Sequence, residues 1–486
     1  MELIPLFGWC LPIIQDLRIA TEAMSYESAI ARMFALGHEL AHTPSHKFDL
    51  AHMRVLLAAM ENPERQFKSV LVAGTNGKGS TAATLASILG ASGLRTGLYT
   101  SPHLIRINER IRINGESISD DTFALIHDVV DRTAERLVEE KELPWHPSFF
   151  EMLTAMAFEH FSREKVDIAV LEVGMGGRLD ATNVVEPLVS VITDISLDHQ
   201  KFLGNTVAEI AREKVGIIRQ GGAVVTLPQL PEANDVIGNA ILDRQARGIS
   251  AVPYVPPVSP GSTPYFQGCD AEERRDEKSG SPSSRATPIS SYPLLIMGKQ
   301  IQVETPLVGR HQLRNIALAI ATAEELHNQG FPVTPETIER GIRETRWPGR
   351  FHVMSNTASS PEIVMDVAHN PAGAWALRST LSACYEGRRL TFVFGAMRDK
   401  AIGEIAEILF PLAERVIVTK ADNPRSASPE EIRAAAARTS VEIIDAENVP
   451  AALAQGKVLM EDDGAMVVTG SIYIVGEAMR ELELSI

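Results

Sequence analysis

Short runs of apolar, often β-branched residues alternate with helical patterns along most of the 486-residue chain. This alternation constrains the fold strongly, because two parallel strands need a long crossover between them, which is usually a helix. The pattern therefore predicts βαβ units and a mostly parallel sheet with helices on both faces. The first five strand runs lie at 69–74, 95–101, 166–174, 189–195 and 222–227, and the helical patterns around them at 26–40, 50–59, 120–139, 151–163 and 206–219.

The run VLVAGTNGKGSTAATLASIL (70–89) has the order of a phosphate-binding loop. A buried strand leads into three glycines and a lysine, and a helix opens at Ser80. Amides at a helix start, the positive end of the helix dipole and Lys78 together suit the phosphates of ATP. Gly79 is unusual, since it separates the lysine from the hydroxyl residue. A plain glycine-rich turn is the alternative, and the predicted ATP-binding residues are Gly74, Thr75, Asn76, Gly77, Lys78, Gly79 and Ser80.

The composition changes near Pro253, where residues 256–293 are rich in proline, serine, glycine and charge. Such a segment buries too little apolar surface to order itself, so we expect a flexible insertion. A second set of alternating strands and helices starts after RWPGRF (346–351). The predicted fold is α/β, with a large P-loop-type ATPase domain at 24–345 and a smaller Rossmann-like C-terminal domain at 351–486.

Overall charge and cysteine content limit the partners and the location. The net charge of −16 argues against a nucleic-acid partner, and no apolar run reaches the roughly 18 residues of a membrane span. Cys10, Cys269 and Cys384 lie far apart without zinc-ligand spacing, so we expect no disulfide framework. A cytoplasmic monomer acting on small molecules is the expectation.

Two polar residues follow or end apolar strands of the first domain. Glu172 lies in an apolar strand, where a lone carboxylate is costly to bury unless it is paired with a cation or binds a metal. It either forms a salt bridge to Arg178 or binds Mg²⁺ at the carboxyl end of a strand. His199 follows the strand at 189–195 and is either a metal ligand or a surface-loop residue. The interleaved charges of TSPHLIRINERIRING (100–115) could form a half-exposed hairpin.

These segments resemble the Mur ligase superfamily, whose members use ATP to join a carboxylate to the amine of an amino acid. Within it, the match to the bifunctional dihydrofolate synthase/folylpolyglutamate synthase family is close. The matching segments run from residue 48 to residue 471 and include FDLAHM, AGTNGKGS, SPHL, FFE, LEVGMGGRLDATN, SLDH, REKVGIIR, GRHQLRN, PGRF, MDVAHNP and TGSIY.

The resemblance implies roles for individual residues. Ser101, on a mobile loop, would join Glu172 and His199 as Mg²⁺ ligands. Lys214, by composition an ordinary helix-surface lysine, would be carbamylated and would act in catalysis with Lys78 and His369. Asn315, Arg350 and Asp366 would contact ATP, although the last two could be turn and cap residues. The implied substrate-binding positions, whose aromatic residues could instead be core, are Phe48, Asp49, Leu50, Ser148, Phe149, Phe150, Glu151, Leu179, Asp180 and Ser471.

The implied activity is ATP-dependent addition of L-glutamate to dihydropteroate, to folates or to both, through an acyl phosphate. A cell-wall precursor ligase is one alternative, which the folate-type segments SPHL and DATN count against. A nucleotide-switch or transport ATPase is the other, and the second α/β domain counts against it.

Overall fold

The computed structural model describes residues 24–37, 50–257, 266–267, 288–354, 362–460 and 464–484. Phe48, Asp49 and most of the expected insertion lie outside these residues. The insertion expected at 256–293 ends earlier than predicted, because residues 289–293 belong to a strand.

The first domain is built on an eight-stranded sheet in the order β4-β3-β2-β5-β1-β6-β7-β8. The sheet is parallel from β2 to β8, and β3 and β4 add an antiparallel hairpin at one edge. The predicted mostly parallel sheet is therefore confirmed. Its strands are β1 (Lys68–Ala73), β2 (Thr96–Tyr99), β3 (Ile111–Ile113), β4 (Glu116–Ser117), β5 (Ile168–Glu172), β6 (Val189–Ile192), β7 (Ala223–Thr226) and β8 (Arg247–Ser250).

Helices cover both faces of this sheet. Successive residues of β1 enter different cores: Leu71 packs in one apolar cluster, whereas Val70 and Val72 pack in the other. The helices are α1 (Tyr26–Ala35), α2 (Leu50–Ala59), α3 (Lys78–Ala91), α4 (Asp120–Glu139), α5 (Phe149–Arg163), α6 (Gln200–Leu203), α7 (Val207–Lys214), α8 (Pro231–Asp243), α9 (Arg310–Asn328) and α10 (Pro335–Arg343). A separate antiparallel sheet is formed by β9 (Phe266–Gln267), β10 (Ile289–Ile296) and β11 (Lys299–Thr305).

The second domain is a smaller doubly wound sheet in the order β12-β13-β17-β14-β15-β16, parallel except for the edge strand β12. Two apolar clusters on its opposite faces confirm the Rossmann-like prediction. Its strands are β12 (His352–Met354), β13 (Glu362–Met365), β14 (Leu390–Phe394), β15 (Arg415–Val418), β16 (Glu442–Asp445) and β17 (Ala465–Thr469), and its helices are α11 (Pro371–Cys384), α12 (Ile402–Leu409), α13 (Pro429–Ala435), α14 (Val449–Leu459) and α15 (Ile472–Glu481).

Two further sequence expectations can be compared with the described residues. Cys384 is disulfide-bonded, although the sequence predicts no disulfide framework; the other two cysteines lie outside the described residues. Within the part of the chain that the structure describes, every helix is too short or too polar to cross a membrane.

The segment after β2 joins the two domains. Leu104 and Ile105 pack against an apolar cluster of the second domain. The carboxylate of Glu109 accepts hydrogen bonds from the backbone amides of residues 104, 105 and 106, at 2.8, 2.9 and 2.5 Å. Residues 107–110 form a buried 3₁₀ turn. The alternative prediction of a half-exposed hairpin at 100–115 therefore holds only at the end of that segment, where β3 pairs with β4.

We predict that Gly476→Ala lowers the free energy of unfolding by about 1–3 kcal/mol through overpacking. A Cβ atom at Gly476 of α15 would lie 2.0 Å from the backbone oxygen of Leu104. A backbone atom cannot move aside as the end of a flexible side chain can. Gly238→Ala in α8 is the control, because a Cβ there meets nothing within 4 Å and alanine favours a helix. Urea unfolding of both variants tests the contact, and equal stability of the two would contradict it.

Candidate functional site

A cavity of about 1290 Å³ lies between the two domains, at the carboxyl ends of the strands of the first sheet. All the predicted site residues that the structure describes line it: Leu50, Gly74, Thr75, Asn76, Gly77, Lys78, Gly79, Ser80, Ser101, Ser148, Phe149, Phe150, Glu151, Glu172, Leu179, Asp180, His199, Lys214, Asn315, Arg350, Asp366, His369 and Ser471.

The glycine-rich loop is held tightly between β1 and α3. The backbone amides of Thr75 and Asn76 donate to the carbonyl of Asp194, at 2.8 and 3.1 Å. Gly77 caps α3 with a φ of 88°, and a Cβ there would lie 2.1 Å from Oδ1 of Asn315. The plain-turn alternative does not account for a loop that is fixed on both sides and lines the cavity.

The unusual glycine is required by packing. Gly79 lies inside α3 and its φ is not in the left-handed region. A Cβ at this position would lie 2.7 Å from Cζ2 of Trp347 and 3.3 Å from Oε2 of Glu172. The first turn of α3 therefore has no room for a side chain at residue 79 unless its neighbours move, because an indole ring and a carboxylate already lie there.

Two lysines lie beside this loop. Nζ of Lys78 is 3.1 Å from the carbonyl oxygen of Thr75, and Nζ of Lys214 donates to the carbonyl oxygen of Gly74 at 2.6 Å. Lys214 is only 3% exposed, so its interpretation as a helix-surface lysine is wrong. Burial, together with the nearby charge of Lys78, lowers the pKa of Lys214 to about 7. A substantial share of its amine is therefore unprotonated at neutral pH.

Glu172 ends β5 next to the phosphate loop and is 5% exposed. Its Oε2 accepts a hydrogen bond from the backbone amide of Ser101 at 3.3 Å. Arg178 instead pairs with Glu213 at 3.0 Å, so the proposed salt bridge from Arg178 to Glu172 is wrong. The carboxylate thus lies between two of the predicted ligand-binding segments.

His199 follows β6 in a left-handed backbone conformation with a φ of 51°. Burial lowers its pKa to about 4, so the imidazole is neutral at pH 7 and has a nitrogen lone pair for a metal. The surface-loop alternative is disfavoured, since His199 lines the cavity. Across the described ranges there is no group of three or more His, Cys, Asp or Glu residues arranged to hold a metal.

Three predicted ATP contacts come from α9 and from the start of the second domain. Asn315 is 3% exposed, and its Nδ2 donates to Oε1 of Gln312 at 2.9 Å. Asp366 accepts hydrogen bonds from the backbone amides of Phe351 and Ala368, as a turn residue does. Burial raises the pKa of Asp366, and the guanidinium of Arg350 opposes that shift. Asp366 therefore stabilises the turn through these hydrogen bonds and also lines the cavity.

The predicted substrate residues on α5 have structural contacts of their own. Ser148 and Glu151 form a capping box, in which Oε2 of Glu151 accepts hydrogen bonds from N and Oγ of Ser148 at 2.8 and 2.6 Å. The rings of Phe149 and Phe34 stack at 6.0 Å. These side chains form part of the cavity wall. The polar atoms of Ser148 and Glu151 are largely hydrogen-bonded to each other.

Asp180 also has internal partners. One of its oxygens accepts a hydrogen bond from the amide of Met175 at 2.9 Å, and the other accepts two from Thr182. Burial raises the pKa of Asp180. The residue closes the loop of residues 174–182, which includes Leu179 and faces the cavity.

The second domain contributes two further predicted residues. Nδ1 of His369 hydrogen-bonds to the carbonyl of Val367 at 2.9 Å, and its Nε2 lies 3.7 Å from Oδ2 of Asp198. Ser471 caps α15, because its Oγ accepts from the amide of Tyr473 at 3.2 Å. His369 therefore faces the first domain across the cavity.

An inter-domain ion pair was not among the predicted site residues. Nζ of Lys400 lies 2.7 Å from Oδ1 of Asp198, and the two side chains are 9% and 10% exposed. Nδ2 of Asn370 donates to Oδ2 of Asp198 at 3.2 Å and to Oδ1 of Asn76 at 3.0 Å. Burial alone would raise the pKa of Asp198, but His369, His199 and Lys400 hold it well below its usual range.

Two α/β domains enclose a glycine-rich loop, and the comparisons with known proteins assign this arrangement to the Mur-type ligases. Residues 349–472 match the family model described as Mur ligase, glutamate ligase domain. The folylpolyglutamate synthase of Lacticaseibacillus casei is 33% identical and aligns over 94% of this chain and 99% of its own length. The dihydrofolate synthase/folylpolyglutamate synthase of Bacillus subtilis is 32% identical over 89% and 95%. The chain belongs to the dihydrofolate synthase/folylpolyglutamate synthase family.

Solved structures agree with this assignment. The apo form of the L. casei enzyme has a TM-score of 0.76 and 31% identity, and covers 95% of this chain and 100% of its own. Folylpolyglutamate synthase of Mycobacterium tuberculosis complexed with ADP has a TM-score of 0.76 and 30% identity, with coverage of 94% and 98%.

We predict that Lys400→Ala lowers the free energy of unfolding by about 3 kcal/mol, because it removes a buried partner of Asp198. Lys299→Ala is the matched control. Lys299 pairs with Glu336 at the surface, where both side chains are more than half exposed, and such pairs contribute little to stability. Chemical denaturation measures both variants, and similar small losses would show that the inter-domain pair contributes little.

Proposed function

We propose that this protein is an ATP-dependent ligase that joins L-glutamate to dihydropteroate, to reduced folates or to both. The observation that carries the proposal is the phosphate loop, whose lysine and helix start line a cavity completed by a second α/β domain. Ordinary small-molecule pockets are roughly 300–1,000 Å³. The cavity is larger than this range, as expected for a site that holds a nucleotide and an acid together.

The chemistry has two steps. A carboxylate oxygen of the pterin acid attacks the γ-phosphorus of ATP, and the bond to ADP breaks. The amine nitrogen of glutamate then attacks the acyl carbon and loses a proton, while inorganic phosphate leaves. Little covalent work falls to the protein in such transfers, so positioning and charge stabilisation dominate. Lys78 and the amides at the start of α3 would stabilise the phosphate charge, and the enclosed cavity would protect the acyl phosphate from water.

Mg²⁺ is proposed as the metal partner of the nucleotide. The available donors fit it: Glu172 supplies a carboxylate, Ser101 a hydroxyl and His199 a neutral imidazole, all on the cavity wall. Mg²⁺ usually binds few protein groups and keeps waters and phosphate oxygens, so a small protein donor set is sufficient. When bound, the ion would neutralise phosphate charge.

Carbamylation of Lys214 is also proposed. Its pKa of about 7 gives the unprotonated amine that reaction with CO₂ requires, and its buried place beside the phosphate loop suits an anionic group close to Lys78. The product would be a carbamate, with release of one proton. Lys214 would then act as an oxygen donor at the nucleotide site.

Other aspects of the proposal concern organisation and location. One chain supplies both walls of the cavity, which supports a monomer as the working unit. We propose the division into domains 24–345 and 351–486, with the cytoplasm as the place of action. No role for nucleic acid or membrane is proposed.

The decisive experiment is a substrate screen. ADP formation should require L-glutamate together with a pterin acid, and dihydropteroate and tetrahydrofolate should be compared as that acid. ATP hydrolysis that does not depend on either substrate would overturn the ligase proposal. Turnover of only one acid would define which synthase activity the protein has.

Lys78→Ala is expected to lower kcat by at least about 100-fold without unfolding the protein, because the side chain faces the phosphate site. Lys457→Ala, on the exposed surface of α14, is the control. Glutamate-dependent ADP release and thermal unfolding should be measured together. A folded Lys78→Ala variant with near wild-type turnover would remove the loop from the proposed site.

Lys214→Ala should also lose turnover, and a small carboxylate such as acetate should restore part of it by replacing the carbamate. Intact mass measured at neutral pH with bicarbonate should show a CO₂ adduct that is absent from the variant. Lys420→Ala, at an exposed lysine of the second domain, controls for charge. Full activity of Lys214→Ala would show that neither the lysine nor its carbamate takes part.

A further inference from the structure

Trp347 lies between the two domains in sequence, yet its ring contacts the phosphate loop of the first. The position of a Cβ at Gly79 is 2.7 Å from Cζ2 and 3.2 Å from Cε2 of this indole. Alanine is favoured over glycine in a helix by about 1 kcal/mol, and the backbone of Gly79 is not left-handed. The indole therefore accounts for the absence of a side chain at a helical position where alanine would otherwise be favoured.

The same ring contacts a second element of the site. The guanidinium of Arg112, on β3, lies 5.6 Å from the ring centroid of Trp347. Nε of Arg112 donates to the carbonyl of Glu109, whose carboxylate orders the segment that follows Ser101. Among the described residues, Nε1 of Trp347 has no hydrogen-bond partner. Packing and the guanidinium contact therefore hold the indole in place.

The carboxylate of Glu172 lies at this junction as well. Its Oε2 is 3.3 Å from the Cβ position of Gly79, the same position that the indole approaches. Three residues after Trp347, Arg350 lines the cavity. One side chain of the linker thus contacts the first turn of α3 and the hairpin after Ser101, and lies near the carboxylate and Arg350.

We propose that Trp347 is a positioning residue for the phosphate loop. Its ring sets how closely the first turn of α3 approaches Glu172 and the linker, and so makes the nucleotide site depend on the placement of the second domain. This inference rests on the proposed function, in which the loop binds the phosphates of ATP. Misplacement of a reacting group by about 1 Å can cost about 100-fold in rate, so a small shift of this turn is sufficient to matter.

A purely structural role is the competing interpretation, because Trp347 also packs against the apolar cluster around α3, α9 and α10. Truncation of a residue with only that role would lower stability but would leave the nucleotide affinity of the folded variant unchanged. An exchange of size across the contact then tests whether the indole acts on the first turn of α3, since coupled neighbours show non-additive effects and independent sites do not.

The test uses Gly79→Ala, Trp347→Leu and the double variant. Gly79→Ala should lower kcat/KM for ATP by about 100-fold, because the new methyl group pushes against the indole. Trp347→Leu should lower it by about 10-fold and make room for that methyl group. The double variant should therefore be more active than Gly79→Ala alone.

Trp375→Leu provides the matched control. Trp375 is 58% exposed on α11 and also lies next to an arginine guanidinium, that of Arg378 at 5.7 Å. This substitution should leave turnover unchanged alone and should not rescue Gly79→Ala. Thermal unfolding establishes that each variant is folded, and Trp347→Phe replaces Trp347→Leu if the latter is not.

Calorimetric titration with ADP and with a non-hydrolysable ATP analogue gives a readout that does not depend on ligase activity. Affinity lost in Gly79→Ala and recovered in the folded double variant would support the positioning role. Wild-type affinity in folded Trp347→Leu or in Gly79→Ala, or a folded double variant as weak as Gly79→Ala, would overturn it. Failure of the proposed ligase activity would instead appear in the wild type, as ADP formation that does not depend on glutamate and a pterin acid.

Discussion

The site depends on two backbone hydrogen bonds at the end of β1. The amides of Thr75 and Asn76 donate to the carbonyl of Asp194, which continues from the neighbouring strand β6. Parallel strands place their carboxyl ends at one edge, so this contact connects the phosphate loop to the segment that leads to Asp198 and His199. The loop keeps its shape because the sheet fixes both of its sides. Glu172, at the end of β5, then lies beside it and accepts a hydrogen bond from the backbone amide of Ser101.

Closure of the site depends on charges rather than on apolar contact alone. Asp198 comes from the first domain, and Lys400 and Asn370 from the second, and their contacts converge beside the phosphate loop. Buried ion pairs rarely add much net stability, but they penalise arrangements in which one charge is left unpaired. The pair therefore favours one relative placement of the domains. Apolar packing of Leu104 against the second domain acts in the same direction.

Much of the architecture could be predicted from local patterns. The elements that the prediction missed were missed for physical reasons. β8 has few β-branched residues, and the first residue of α8 is the second of two closely spaced prolines, so neither shows a clear period. The start of α10 was not predicted, although it could have been, because Thr334 caps the helix and Pro335 lies in its first turn. The ion pair from Asp198 to Lys400 spans 202 residues of sequence, and no local pattern specifies such a distance. The same holds for the indole of Trp347, whose partners Gly79 and Arg112 are more than 230 residues away in sequence.

Burial favours the uncharged form of three ionisable groups in the cavity. It lowers the pKa of Lys214 and of His199 and raises that of Asp366, and each shift favours the uncharged form. A polyanionic nucleotide beside Lys214 would favour its charged form, whereas a carbamate would replace that charge with a negative one that suits a divalent cation. Under the proposed function, the state of this lysine would determine whether this side of the loop attracts phosphate directly or through a metal. Because its amine lies 2.6 Å from the carbonyl of Gly74, either state acts on the first residue of the loop.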